Sequence, residues 1–373
     1  AVLKEDLRDS DSLNDLWSEG CEDFNNVKVG ECILNVIVVD ESSKLNVNTS
    51  SRNQLLSLPG MTEEIVDCII DWRDKDEVAR ENGVEDGYYQ NLMYAYEIRN
   101  GEFSTIRELL KVKGIEEGLF YNGEVTIGTK IDRNRIKAEK LKDIDVKQEI
   151  SRGLFYYLTC YSYERNVDAD RNPRVNVNRA KKNELRNLLK LSNEQADWII
   201  ERRKKNKLSK ITDLIVDKNK KNSKGNNHKN SKNNNIEGIE FKTFLEIVDK
   251  ITVSKDEVTA GKVNVNTAGF SVLSAVFGGD EKGQRMAGDV LSYRENLPEG
   301  FGAISDLIKV DSINEEEFKK IADKVTVRSD VFSVYSFAST ADNPGKHNYM
   351  IEAVIDRHEK PYEILYWCEG VWN

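Results

Sequence analysis

"KLNVNTS" (44–50), "RVNVNRA" (174–180) and "KVNVNTA" (262–268) repeat one phrase, basic–apolar–Asn–Val–Asn, three times in a single chain of 373 residues. The residues after each copy repeat as well. A short apolar-periodic run leads to "IIDWRD" (69–74), "IIERRK" (199–204) or "VLSYRE" (290–295), and then to "TIRELL" (105–110), "KITDLI" (210–215) or "AISDLI" (303–308). The second Asn stands 25 residues before the arginine in the first two copies (Asn48 to Arg73, Asn178 to Arg203) and 28 before it in the third (Asn266 to Arg294). Self-similarity at this spacing marks an internal repeat, each copy one supersecondary unit.

Each copy reads as a helix, a tight turn and a second helix, with a further short helix after them. Ser51 with Gln54, Ser192 with Gln195, Thr105 with Glu108 and Ser312 with Glu315 fit capping boxes, in which two orphan amides are satisfied reciprocally. Gly60 in "LPGM" (58–61) suits the left-handed end of a first helix. The second helix is predicted from about Thr62 to Arg73, and "VKGI" (112–115) as the turn of a second hairpin. Alternation sends the side chains of Asn46, Asn48, Asn176, Asn178, Asn264 and Asn266 away from their apolar neighbours. Their amides can bond nearby backbone and set the start of each helix; ligand contact is the competing use. Arg73, Arg203 and Arg294 fall near helix C-termini, where a cation favours the dipole.

Around the repeats the chain is β-rich. "ECILNVIVVD" (31–40) reads as a strand, with Asp40–Ser43 as a turn and "KLNVN" as the second strand of a hairpin. "LFYYLTCYSYE" (154–164) and "VFSVYSFAST" (331–340) are aromatic and β-branched. "YMIEAVID" (349–356) and "YEILYWCEG" (362–370), joined by "RHEKP", form a hairpin by composition. Leu3, Leu7, Leu13, Leu16 and Trp17 predict an amphipathic helix over 2–17. Residues 216–236 hold eight Asn, six Lys and one Gly, too little apolar surface to order a backbone, and are predicted to be a disordered loop. The expected fold is α+β, an antiparallel sheet with large helical insertions built from three helix–turn–helix repeats. The expected segments are 1–48 (helix end and strands), 49–132 (first repeat, with an acidic insertion), 150–254 (strand and second repeat), 262–327 (third repeat) and 328–373 (strands completing the sheet).

Composition narrows the function. The net charge is −10, and the lysine-rich 216–236 contributes +5, leaving −15 elsewhere, which repels phosphate backbones. Nucleic acid is therefore not an expected partner. No apolar run approaches 18 residues, so the sequence supplies no membrane-spanning helix. Five cysteines without a C-x-x-C pair argue against a zinc site. Cys21 and Cys32 flank a turn and are candidates for a disulfide, and spacing leaves that pairing open. The three histidines fall at 228, 347 and 358, and no G-x-S-x-G, H-E-x-x-H or phosphate-loop motif occurs, so no enzyme is expected.

The helix–turn–helix units resemble helix-hairpin-helix modules, which grip DNA phosphates through a Gly-x-Gly turn. Here the turns read Gly60-Met61-Thr62, "LKLS" (190–193) and Gly278-Gly279-Asp280, so the scaffold is kept and the phosphate chemistry largely lost. Over residues 11–128 the ordered series "DSLNDLW", "DESSKLNVNT", "IIDWRDKDE", "NGVEDGYY", "RNGEFSTIRELLKVKGI" and "VTI" resembles general secretion pathway protein K, the large minor pseudopilin of type II secretion systems. The resemblance implies a pilin-like core interrupted by helical insertions, at the tip of a secretion or type IV pilus-like fibre. It implies other minor pseudopilins, and secreted protein, as partners. It places the chain in the periplasm, reaching the inner membrane only through an N-terminal apolar helix upstream of Ala1. A competence-type DNA-binding protein and a periplasmic scaffold are the alternatives.

Between Arg73 and Glu108 the first repeat carries an insertion that begins Asp74-Lys75-Asp76-Glu77 and continues through Glu81, Glu85 and Asp86. Clustered carboxylates need solvent or a cation, and an Asp-x-Asp start is one way to offer calcium two oxygens. Spacing alone leaves a solvated acidic loop as the alternative. The family resemblance implies a structural calcium ion here, with Asp74, Asp76, Glu85 and, less directly, Asp86 on its acidic positions, pinning Tyr88-Tyr89 to the hairpin.

Overall fold

Strand β1 (Val27–Val29) turns through Gly30, at φ +62°, into β2 (Cys32–Asp40). With β3 (Val331–Thr340), β4 (Tyr349–Asp356) and β5 (Glu363–Gly370) they form one sheet of order β1-β2-β3-β4-β5, antiparallel throughout. The computed structural model describes Leu3 and residues 10–18, 26–121, 152–216, 238–340, 349–358 and 362–370. β2 and β3 are direct neighbours, Val38 opposite Val334, although the whole repeat region lies between them in sequence. Period-two alternation gives the sheet two faces. Tyr335, Phe337, Met350 and Val354 are buried on one, whereas Leu34, Val36, Val38, Val334 and Ile351 on the other are half-buried.

The "KLNVN" segment does not fold back as a hairpin on β2. Asp40 accepts from the Ser42 N–H at 2.7 Å and opens a 3-10 turn over Glu41–Ser43. Buried Glu41 then accepts from Lys44 (2.8 Å), the Ser333 hydroxyl (2.6 Å) and the Thr159 hydroxyl. The chain is thereby turned off the sheet, and Leu45–Asn46 pairs parallel with Leu158–Thr159. Residues 11–18 are turns rather than the predicted amphipathic helix; residues 4–9 lie outside the described region. Ser12 donates its N–H and hydroxyl to Asp15 (2.8 and 3.1 Å), a local side-chain bond that competes with helix formation. Trp17 packs edge-on against Phe332, with centroids 5.0 Å apart.

The helices are α1 (Arg52–Leu56), α2 (Glu63–Arg73), α3 (Asp86–Gln90), α4 (Glu117–Tyr121), α5 (Leu154–Tyr157), α6 (Lys182–Leu189), α7 (Asn193–Lys205), α8 (Phe241–Ile247), α9 (Phe270–Phe277), α10 (Glu281–Arg294) and α11 (Glu315–Ile321). The capping boxes at Ser51/Gln54 and Ser192/Gln195 form. The other two do not. Glu108 accepts from Ser104 N at 3.2 Å, and α11 is capped by Asn314, whose Oδ1 takes the Glu316 and Glu317 amides. The aromatic run at 154 begins as helix α5 instead of a strand because Phe155 packs on Phe120 and Tyr121, at 5.7 and 5.8 Å.

The chain divides into two compact units. One comprises residues 1–164, 260–302 and 324–373, and holds the sheet, α1–α5, α9 and α10. The other comprises 165–259 and 303–323, and holds α6–α8 and α11. The third repeat, expected as one segment over 262–327, is thus divided: its final short helices stay in the second unit, where Phe318 packs on Phe241 (5.7 Å) and Phe244 (6.5 Å). Residues 217–237, most of the predicted loop 216–236, lie outside the described residues, as does Cys21; Cys32 is an exposed free thiol.

Candidate functional site

In all three repeats the phrase Asn-Val-Asn builds one lock. The first Asn accepts, through Oδ1, the backbone N–H of the second: Asn46 from Asn48 at 2.9 Å, Asn176 from Asn178 at 2.9 Å, Asn264 from Asn266 at 3.0 Å. The second Asn then acts as a peptide unit. Its Oδ1 takes the N–H, and its Nδ2 gives to the C=O, of one residue after the hairpin: Phe103 (2.8 and 3.0 Å), Leu208 (2.9 and 2.9 Å) and Phe301 (2.7 and 3.0 Å). Only a primary amide offers both a donor and an acceptor in this geometry.

The arginine at the end of each second helix completes the lock. Arg73 donates to the carbonyls of Val47 and Ser50, Arg203 to Val177 and Ala180 (both 2.8 Å), and Arg294 to Val265 and Ala268 (2.8 and 2.9 Å). Each arginine sits in the last turn of its own helix, as dipole reasoning predicts, yet its bonds go to the segment that opens the first helix. A planar guanidinium with five donors reaches two carbonyls of the segment that precedes the first helix and lies outside its hydrogen-bond ladder.

A third part is not evident from the sequence. Each Asn-Val-Asn strand pairs in parallel with an apolar–Thr dipeptide: Leu158–Thr159, Ile251–Thr252 and Val325–Thr326. Each Thr hydroxyl accepts the amide two residues on, that of Tyr161 (3.0 Å), Ser254 (3.1 Å) or Arg328 (3.1 Å). The first Asn donates to the next Ser along: Ser162 O (3.1 Å), Ser254 O (2.5 Å) and Ser329 Oγ (3.0 Å). The signal is present as "LTCYS", "ITVS" and "VTVRS", but its spacing from each Asn varies too much for a fixed period to find it.

The acidic insertion folds back over α2. Arg80 donates its N–H to Asp71 Oδ2 at 3.1 Å, and Asn82 donates to Asp67 at 3.1 Å. Gly83 lies so close that a Cβ would fall 1.9 Å from Asp71 Oδ2, so only glycine lets the loop pass. Tyr89 is fully buried, edge-on to Trp72 at 5.1 Å. Asp74, Asp76 and Glu85 are brought together, offering carboxylate oxygens all within 4.8 Å of one another. Asp86 is not in this group; its Oδ1 accepts from Ile98 N at 3.0 Å.

Both Glu85 oxygens and Asp74 Oδ1 are buried without a hydrogen-bond partner. Burial, reinforced by the charges of Asp71, Asp74, Asp76 and Glu77, pushes the Glu85 carboxyl up to about 7. Burial and the Asp76 charge raise Asp74 as well. Buried carboxylates are normally paired, and a hard oxygen-only donor set with orphaned atoms is what a calcium ion satisfies. The residues present therefore fit that ion.

Residues 32–122 match the family model described as Type II secretion system (T2SS), protein K, and residues 258–326 match the helix-hairpin-helix motif. Both matches agree with the resemblances that the sequence pattern suggested. Among solved structures, a chain of the GspK-GspI-GspJ complex from the enterotoxigenic Escherichia coli type 2 secretion system aligns with 99% of this chain and 89% of its own length, at a TM-score of 0.51 and 12% identity. That likeness shows a shared fold: a mixed helix-and-sheet protein with an antiparallel sheet. No curated protein matches.

Proposed function

We propose that this chain is the periplasmic region of a minor pseudopilin, a non-enzymatic subunit at the tip of a type II secretion fibre. The observation that carries the reading is the placement of all three locked helical repeats between adjacent strands β2 and β3. A pilin-like sheet interrupted there carries bulk that hinders a further subunit from stacking upon it, which suits a cap. The match to protein K over 32–122 supports the same role. Among the described residues no helix is long and apolar enough to cross a membrane. Partners would be other minor pseudopilins, as in the solved complex, and exported protein.

The helix-hairpin-helix match at 258–326 keeps duplex DNA as a second reading. Its geometry is unfavourable at the third hairpin turn, where Asp280 Oδ1 accepts the Gly283 N–H at 2.8 Å and sets a carboxylate where a phosphate would approach. Mixing the chain with soluble regions of two minor pseudopilins from the same host should yield one stable complex by gel filtration. A chain that elutes alone, yet shifts duplex DNA at low salt, would replace the secretion reading with the DNA one.

The group Asp74, Asp76 and Glu85 would hold calcium in a structural role. The ion would neutralise the buried carboxylates and fix the insertion, with Tyr89, against α2.

A further inference from the structure

The three hairpins share one lock but not one charge. From the second lock Asn to two residues past the clasped residue, the first repeat (48–105) holds five Lys and Arg against twelve Asp and Glu, and the third (266–303) three against five. The second (178–210) holds eleven against four, in a chain whose net charge is −10. The fold does not require this excess, because the other two repeats make the same hydrogen bonds without it.

The lock gathers the surplus charge in one place. Asn178 grips Leu208 at 2.9 Å and Arg203 reaches Ala180 at 2.8 Å, so Arg179 and Lys181 are held beside Lys204, Lys205, Lys207 and Lys210. All six are exposed. Lys204 pairs with Glu201 at 2.7 Å; the other five have no carboxylate partner among the described residues. At two of these positions the other repeats are acidic or neutral, with Asp74 and Glu295 where this one has Lys204 and Glu102 and Gly300 where it has Lys207; Lys205 alone is matched by a lysine, Lys75 of the first repeat.

We propose that this basic face of the second repeat docks an acidic segment of a partner protein. Charge complementarity selects the chemistry: several like charges held together repel one another unless an anion meets them, and such faces raise association rates and choose partners. A short carboxylate-rich stretch fits better than a continuous polyanion. Glu184, Glu194, Asp197 and Glu201 interrupt the same hairpin, and its turn is made by Lys190 at φ +55° with no Gly-x-Gly amides to take a phosphate. The inference depends on the pseudopilin reading only for where the partner would be met.

Fluorescence anisotropy of labelled octaglutamate with the full chain tests it directly, without any pseudopilin present. The peptide should bind, weaken as NaCl rises from about 50 to about 300 mM, and lose about tenfold in affinity with Lys205→Glu, Lys207→Glu and Lys210→Glu combined. Lys282→Glu with Arg285→Glu in the third repeat should leave binding unchanged. A Lys→Ser triple, which removes the charges and adds no repulsion, must show a smaller loss in the same direction with an unaltered thermal melt. Absence of octaglutamate binding at low salt overturns the proposal, as does binding indifferent to the triple. It is equally overturned if duplex DNA or phosphatidylglycerol vesicles bind more tightly than the peptide and are released by the same triple.

Discussion

Six asparagines clasp the three hairpins, and they are not equivalent in burial. Asn266 is fully buried, and its side-chain amide accepts the Phe301 N–H and donates to the Phe301 carbonyl. Asn266→Ala removes both bonds and leaves a buried donor and acceptor unpaired, which costs about 2–4 kcal/mol. Urea denaturation should show that loss, with a smaller one for half-buried Asn178→Ala; a change below about 1 kcal/mol in the first would mean that the clamp is incidental. Asp67 is a separate matter. The Arg52 guanidinium, at 2.6 and 3.1 Å, holds its carboxyl below the usual carboxylate range. A depressed folded pKa contributes stability above the unfolded value of about 3.8 and loses it as pH falls through the folded value. Asp67→Asn should therefore destabilise the chain at pH 7 and narrow its difference from wild type in acid, read from melts across that window; a constant difference would assign Asp67 no ionic role.

Whole elements are legible where their signal is local. β2, β3, β4 and β5 track the apolar, β-branched runs within a residue or two, and α2 starts and stops where Thr62 and Arg73 indicate. The elements that differ from their local pattern depend on distant contacts. Leu45–Asn46 reads as half a hairpin until Glu41 is seen to find partners at Thr159 and Ser333. Leu154–Tyr157 reads as strand because nothing in its sequence announces Phe120. The acidic insertion is legible as a run of carboxylates, but which of them converge depends on how the loop closes where Gly83 passes over Asp71, so the sequence pattern also includes Asp86, which lies outside the converged group. This element supports a two-sided test. Calcium should raise the melting temperature of the wild type, and excess chelator should lower it. Glu85→Gln removes one of the repelling charges, so it should stabilise the chelator-treated chain while abolishing the response to calcium. Loss of neither the response nor the repulsion would leave a solvated loop.

At the scale of the molecule, chain order and spatial order diverge. The strands that meet at the middle of the sheet, β2 and β3, come from opposite ends of the sequence. Within the second unit Val175–Asn176 pairs with Ile251–Thr252, and Ile215 bridges Ile239, across the segment 216–236. Among the described residues these pairings, like that of β2 with β3, join the chain before the segment to the chain after it, so both fragments of a cleaved chain share them. Its six lysines and scarcity of apolar residues predict that a lysine-specific protease cuts there first. The two products should co-elute on gel filtration under native conditions and separate only in denaturant, because β2 leaves with the N-terminal fragment and β3 with the C-terminal one. Each alone would expose an unpaired sheet edge and apolar surface that the intact sheet conceals, a strong bias toward staying together. Fragments that part without denaturant would show that the β2–β3 pairing is too weak to hold the sheet. Cleavage elsewhere, with 216–236 intact, would show that this stretch is ordered despite its composition.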